Sequence, residues 1–148
     1  MTVITRQFSL DMQGATQIEN ITEKVKNDLL ESGLAAGIIT LFIKHTTASI
    51  MIFEDEAGLR IDTKDIWDKL IPADSQWQHN TRNAGETNSH SHLRAQIQGQ
   101  SLTIPFTEQA LMLGIWQQIV IVDFDTAART RDIVIQIIGE KILLLVLI

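Results

Sequence analysis

The sequence predicts an α+β domain, with antiparallel strands and a few helices. Three observations carry that prediction. Apolar, β-branched runs of strand length recur along the chain and crowd into its last third. Separate stretches carry apolar residues at helical spacing. Strands also come in runs instead of alternating singly with helices, which argues against a parallel doubly wound sheet. At 148 residues the chain is most simply one domain with its own core. The domain is assigned to residues 1–140, and residues 141–148 form an apolar C-terminal tail.

Each element follows from its local pattern. Val3 to Met12 alternates loosely, with Ile4, Phe8 and Leu10 opposite Val3, Thr5 and Gln7, and Gly14 breaks this first strand. Ile21, Val25 and Leu29 recur every four residues, so an amphipathic helix runs from Ile21 to Leu30. Asn20 or Thr22 stands at its start and Gly33 just past its end. Gly37 to Lys44 is β-rich and leads into His45, and a strand over Ala48 to Phe53 follows. Leu59, Ile66 and Leu70 mark a helix over 57–70, stopped by Pro72.

Ala73 to Asn88 has little periodicity and reads as a long loop, a feature that is usually functional or mobile in a compact domain. Leu93 and Ile97 mark a short helix ending at Gly99. Ser101 to Phe106, Ala110 to Leu113, Trp116 to Phe124 and Arg131 to Ile138 read as successive strands, and their short links favour antiparallel hairpins. The tail from Lys141 ends in seven apolar residues and reads as a buried or subunit-covered strand. Left exposed, it would be an aggregation hazard.

Composition narrows the function classes. The chain is 45% hydrophobic and 20% charged, as soluble globular proteins are. Its net charge of -6 offers no general attraction to nucleic acid or anionic lipid. The absence of cysteine removes disulfides, thiolate catalysis and zinc–thiolate sites. Neither a signal peptide nor an apolar run long enough to span a bilayer is visible, so a cytoplasmic location is expected. There is no Gly-rich phosphate loop, no Gly-x-Ser-x-Gly elbow, no His-Glu-x-x-His and no basic-aromatic platform for nucleic acid.

The four histidines are placed unevenly. His45 opens the run His45-Thr46-Thr47-Ala48-Ser49, while His79, His90 and His92 share one polar window ending Asn88-Ser89-His90-Ser91-His92. With no cysteine or tyrosine present, imidazole is the natural carrier of chemistry near neutral pH. His90 and His92 are two residues apart. On extended backbone both rings point one way and would grip a metal together with His79 or His45. In a helix they would sit about 200° apart and diverge. The metal reading therefore needs an extended segment at His90 to His92, with the helix starting later. The bland reading is a polar surface loop whose Asn88 or Ser89 caps the next helix.

The other candidates also carry two readings. Thr46 and Thr47 are ordinary strand residues, or hydroxyls that hold a phosphate oxygen beside a charged His45. Glu54 and Glu56 are a solvated acidic helix start, or Mg²⁺ ligands shared with a diphosphate. Arg129 and Arg131 share one face of a strand. They either clamp phosphate or balance Asp123, Asp125 and Asp132. Arg82 is a weaker cation of the same kind. Trp116-Gln117 enters an apolar strand, where Trp is more often core or subunit interface than a stacking platform.

By His45-Thr46-Thr47-Ala48-Ser49 and Asn88-Ser89-His90-Ser91-His92 the chain resembles the YjbQ family. Glu54 to Leu59, Ile104-Pro105, Leu111 to Gln117 and Asp123-Phe124-Asp125 with Arg129 and Arg131 extend the resemblance over roughly Thr5 to Glu140. There are departures. Asp123 stands where the family commonly has Glu, and Thr126-Ala127-Ala128 replaces a Gly-Pro-Arg-like turn. Thr107-Glu108-Gln109 lacks the usual hairpin glycine, and the last eight residues have no clear counterpart.

The resemblance implies a homotrimer of compact α+β subunits, each with antiparallel β-sheets packed in a sandwich, and a secondary thiamine-phosphate synthase activity assigned to some members. That reaction joins a pyrimidine diphosphate to a thiazole phosphate and releases pyrophosphate. The sequence-level expectation is thus a metal-dependent enzyme acting on phosphorylated small molecules. His45, Thr46, Glu54 and Asn88 are the expected catalytic residues. Thr47, Arg129 and Arg131 are expected to bind phosphate, and His79, His90 and His92 to hold a divalent metal, Zn²⁺ or Mg²⁺. A metal-assisted phosphoester hydrolase and a non-catalytic trimer that binds a metal or phosphorylated metabolite are the alternatives. Neither nucleic acid nor membrane is an expected partner.

Overall fold

Strand and helix propensities resolve into eight strands and four helices in a computed structural model that describes residues 1–141. In chain order these are β1 (Thr2–Met12), β2 (Gln17–Asn20), α1 (Thr22–Ser32), β3 (Leu34–Ile43), β4 (Ala48–Phe53), α2 (Ala57–Leu70), α3 (Gln78–Arg82), α4 (Ser89–Gln98), β5 (Ser101–Thr107), β6 (Ala110–Leu111), β7 (Gln118–Asp123) and β8 (Arg129–Lys141). The predicted apolar tail lies outside the described residues, except for Lys141.

Two antiparallel sheets divide the strands. One has five, in the order β1-β8-β3-β5-β6, and the other three, in the order β2-β7-β4. The period-2 pattern sorts their side chains. Ile39, Leu41 and Ile43 of β3 and Ile133, Ile135 and Ile137 of β8 point inward, where they meet Ile119 and Ile121 of β7 and Ala48 and Ile50 of β4. Val25 and Leu29 of α1 enter the same core. The opposite face of β7, Val120 and Val122, packs under α2 and α4 against Trp67, Ile71 and Ala95. β7 is buried on both faces, which explains its unbroken apolar run Ile119 to Val122. The predicted α+β sandwich is therefore present, with helices covering the smaller sheet.

Local rules account for the boundaries. Asn20 Oδ1 accepts the Thr22 N–H at 3.0 Å, and Gly33, at φ 66°, ends α1 in the left-handed region. The Glu56 carboxylate accepts the N–H groups of Gly58 and Leu59 at 2.8 and 3.0 Å and so caps α2. That is the structural reading of the acidic run. In the β5–β6 hairpin, Glu108 and Gln109 both adopt positive φ, 50° and 59°. A two-residue turn demands this geometry, and here non-glycine residues supply it.

Three expectations need correction. The last four strands do not form successive hairpins. Only β5 and β6 pair with each other, while β7 inserts between β2 and β4 and β8 between β1 and β3. Short links here carry the chain from one sheet to the other. The stretch 73–88 contains a one-turn helix, α3, which the polar sequence concealed. The helix at Leu93 begins earlier than its apolar residues indicate, at Ser89. The last difference decides the geometry of the site.

Candidate functional site

Three connections meet at one end of the sandwich. They are the β3–β4 link with His45 to Thr47, the residues after β7 from Phe124 onward, and the start of α4. Together with His79 and Glu86 they enclose a cleft of about 460 Å³.

Asp125 organises its wall. It follows Asp123 by two residues, so both carboxylates project to the same side of the chain. Asp125 Oδ2 accepts from Thr47 Oγ1 at 2.8 Å and Arg129 Nε at 2.5 Å. Its Oδ1 accepts from the Thr126 N–H at 2.7 Å and Asn88 Nδ2 at 3.3 Å. Burial alone would raise this carboxyl, but the hydrogen bonds from Thr47, Arg129, Thr126 and Asn88 outweigh it and hold the group at about 2. Arg131 lies behind, fully buried, and grips Asp123 through Nε at 2.8 Å and Nη2 at 2.5 Å. Its Nη2 also donates to Thr47 Oγ1 at 3.0 Å.

These bonds separate the expected phosphate binders. Arg131 and the Thr47 hydroxyl are bonded into the wall, with Arg131 Nη1 making no hydrogen bond among the described residues. Alternation showed that Arg129 and Arg131 share a face but not that the second is buried. Arg129 is different. Its side chain is half exposed, only Nε is tied to Asp125, and its Nη groups make no hydrogen bond among the described residues. The guanidinium is thus aimed by one edge with the other turned to the cleft. Lys44 supplies a second, exposed cation.

Three imidazoles, His45, His79 and His92, line the cleft. His45 Nε2 accepts the Asp132 N–H at 2.9 Å, so the neutral ring carries its proton on Nδ1. Burial and then the Arg131 charge lower His45 from its ordinary value, which keeps it neutral instead of the charged phosphate partner expected. His79 and His92 rings meet edge to face, with centroids 4.8 Å apart. Burial and then His79 lower His92. His79 Nε2 and Asn88 Oδ1 are buried without a hydrogen-bond partner. The cleft therefore holds polar atoms that its own residues leave unsatisfied. Thr46 is exposed and borders the cleft beside His45.

Two expected site residues lie elsewhere. Glu54 stands at the far end of β4, beside Asn20 and Trp116, about 20 Å of strand from His45. Its register with Mg²⁺ chemistry in this cleft is lost because β4 runs away from the site. His90 lies in the first turn of α4, where helical geometry turns it away from His92. The His79-His90-His92 ligand set is therefore not assembled, and among the described residues no three His, Cys, Asp or Glu side chains form a metal-holding group. Trp116, expected in the core or an interface, is 66% exposed in this subunit.

Asp125, Lys44 and Glu86 are the site residues that sequence reasoning missed. The spacing Asp125-x-x-x-Arg129 was visible, but it read as charge balance.

The model of the UPF0047 protein YjbQ-like family matches residues 6–140. The chain belongs to the YjbQ family. A UPF0047 protein of Methanothermobacter thermautotrophicus is 33% identical over 140 residues, covering 95% of both chains. The UPF0047 protein YugU of Bacillus subtilis is 31% identical, covering 81% of this chain and 88% of its own. Among solved structures, a protein of unknown function from Sulfolobus solfataricus superposes with a TM-score of 0.84 at 28% identity, covering 94% of this chain and all of its own. A YjbQ/UPF0047 protein from Clostridium acetobutylicum superposes with a TM-score of 0.81 at 33% identity, covering 90% and 99%. The α+β sandwich of this YjbQ chain is thus the family's fold, and every cleft residue falls within the matched segment.

Proposed function

We propose that the cleft is the active site of an enzyme acting on a phosphorylated small molecule. The observation that carries this reading is Arg129, held by Asp125 through Nε with both Nη groups left for ligand oxygens. An arginine anchored on one edge presents a preorganised fork to phosphate. Lys44 adds charge at the rim. The phosphate end of the ligand lies against these cations, and its organic part extends over the adjoining cleft of about 660 Å³, which shares Lys44, His45, Thr46 and His92 and is floored by Phe42 and Ile43.

His45 donates from Nδ1, and neutral His92 accepts or delivers a proton at the reacting group. Departure of phosphate or pyrophosphate is the demanding step, and Arg129 and Lys44 stabilise the charge that develops. A divalent ion fits a reduced form of the expected site. His79, whose Nε2 has no partner, would hold it, and it would act as a Lewis acid toward the departing phosphate, leaving His92 for the proton. The orphaned Asn88 Oδ1 adds an oxygen donor to this cleft. Thiamine-phosphate synthesis is the specific reaction proposed, with phosphoester hydrolysis as its competitor at the same residues.

The proposed assembly is the homotrimer. On the outer face of the larger sheet, Val3, Ile138, Ile38 and Pro105 form one cross-strand row, and Val134 and Phe42 stand in another. Thr5, Gln136, Thr40 and Thr103 make the polar row between them. These rows carry no charged residue, unusual for a sheet face left to water, and Phe42 connects them to the cleft. A neighbouring copy seated on this face would border the site.

The test supplies metal-stripped protein with Zn²⁺, Mn²⁺ or Mg²⁺. It then follows turnover of the pyrimidine diphosphate with thiazole phosphate beside a panel of phosphomonoesters and diesters. Synthase product supports the first reaction, and ester cleavage alone supports the hydrolase. No turnover with any of them contradicts the enzyme reading.

A further inference from the structure

Helix α4 carries two sets of polar side chains on different faces. His92 and Gln96, four residues apart, face the clefts described above. His90 and Arg94, also four apart, face a separate cavity of about 330 Å³ between α4, α2 and the turn before β2. Nothing in the proposed chemistry uses that cavity.

Its walls are built from buried polar groups. Arg94 is 3% exposed and is fixed by the Ile71 carbonyl, at 3.0 Å from Nε and 2.7 Å from Nη2, and by Asp68 at 2.9 Å. Its Nη1 has only Thr16 Oγ1, at 3.4 Å. His90 is 7% exposed. Its Nδ1 is sealed and has no partner, so Nε2 is the edge the ring offers the cavity. A buried N–H without an acceptor is rarer than an underused acceptor, which places the neutral ring's proton on Nε2. Lys64, one turn before Asp68 on α2, is exposed at the mouth and makes no ion pair among the described residues. Thr16 holds its place with φ at 62°, a costly conformation for a β-branched residue. Asp68 is spent on Arg94, and Asp125, on the shared wall, is spent on the front cleft.

The donors left over are Lys64 Nζ, His90 Nε2–H and one edge of Arg94. They line a space whose two carboxylates, Asp68 and Asp125, each already pair with an arginine. We propose that this cavity is a second oxyanion site, taking a phosphate group behind the Asp125 wall, with Lys64 and His90 as direct ligands and Arg94 as the buried positive backing. Charge-assisted hydrogen bonds to phosphate would satisfy the His90 and Lys64 donors together.

Equilibrium titration of the whole protein with inorganic phosphate tests the site, using Arg129→Ala to silence the front cleft. The Arg129→Ala protein is expected to keep one phosphate per chain. Adding Lys64→Ala, or His90→Phe, which retains the ring's bulk, is expected to weaken that phosphate about tenfold or more. Lys64 is exposed, so its removal leaves the fold intact and guards against a misfolded His90 variant. If Arg129→Ala protein binds no phosphate, or binds it equally well with and without Lys64, the back site is overturned. A phosphate that survives Arg129→Ala but not Lys64→Ala upholds it, even if the front cleft binds none. Phenyl phosphate in the same Arg129→Ala protein assigns the source: binding marks a site for phosphate esters, and its refusal beside bound phosphate marks one for the free oxyanion.

Discussion

His90 and His92 stand two residues apart and open onto opposite sides of the Asp125 wall. The helix that begins at Ser89 causes this, because one residue pair separated by about 200° cannot serve one ligand. His92→Ala is therefore expected to lower activity at the front cleft at least a hundredfold, a general acid–base effect. His90→Phe should leave front-cleft activity within a few-fold of the parent. Steady-state rates of the two variants, beside circular dichroism to confirm folding, check the division.

Arg129→Ala is expected to weaken phosphorylated ligands about tenfold or more, while Arg129→Lys recovers only part of the loss, since a point charge lacks the fork. Stability should change by less than about 1 kcal/mol, because the Arg129–Asp125 pair is half exposed at the arginine. Titration calorimetry and thermal unfolding of the same samples read both quantities.

Asp123→Ala acts on stability. It removes both carboxylate oxygens that Arg131 grips inside the protein and leaves a buried cation underpaired. A loss of about 3–5 kcal/mol is expected, read from the denaturant midpoint. Replacing Asp123 and Arg131 together by apolar residues of similar volume should cost less than the single change.

The fold's periodic elements were legible through apolar periodicity, which burial follows in α1 but not in α2. Ile21, Val25 and Leu29 marked α1 and are buried, whereas Leu59, Ile66 and Leu70 marked α2 but are exposed, and Trp67 is the residue that helix buries. Strand partners were not legible, since a short link serves a hairpin or a passage between sheets equally well, and the links after β6 and β7 take the second route. The start of α4 was hidden because Ser89, His90 and Ser91 are polar yet buried, satisfied by Asn80, by the Phe124 carbonyl, or not at all. Asp125 was hidden for a related reason. Its importance lies in four donors, of which Thr47 and Asn88 come from distant parts of the chain and only Thr126 and Arg129 are neighbours in sequence.

Stability should fall with pH in two windows. Burial lowers His45, His90 and His92 below their ordinary value of 6.5. The unfolded chain then takes up protons first, so stability is full above about 6.5 and declines as pH falls below it. Asp125 sits at about 2 instead of 3.8, so its contribution of about 2 kcal/mol is present above 3.8 and is lost as pH falls from there toward 2. Asp125→Asn should flatten the acid window and leave the histidine window in place, as measured by unfolding free energy against pH.

Glu54→Gln should leave ligand affinity and turnover at the front cleft unchanged within about twofold, because β4 carries Glu54 to the other end of the sandwich. A large loss of rate would show that a second subunit brings a Glu54 to the cleft, and rate measurement across a dilution series would detect it.

The most direct test of the central claim is turnover of phosphorylated substrates by wild-type protein and by His92→Ala, with metal supplied to both. The cleft reading predicts that wild type forms thiamine phosphate or cleaves a phosphoester, and that a folded His92→Ala protein loses at least a hundredfold of that rate. Wild-type protein with no turnover, or a rate that survives His92→Ala, would contradict it.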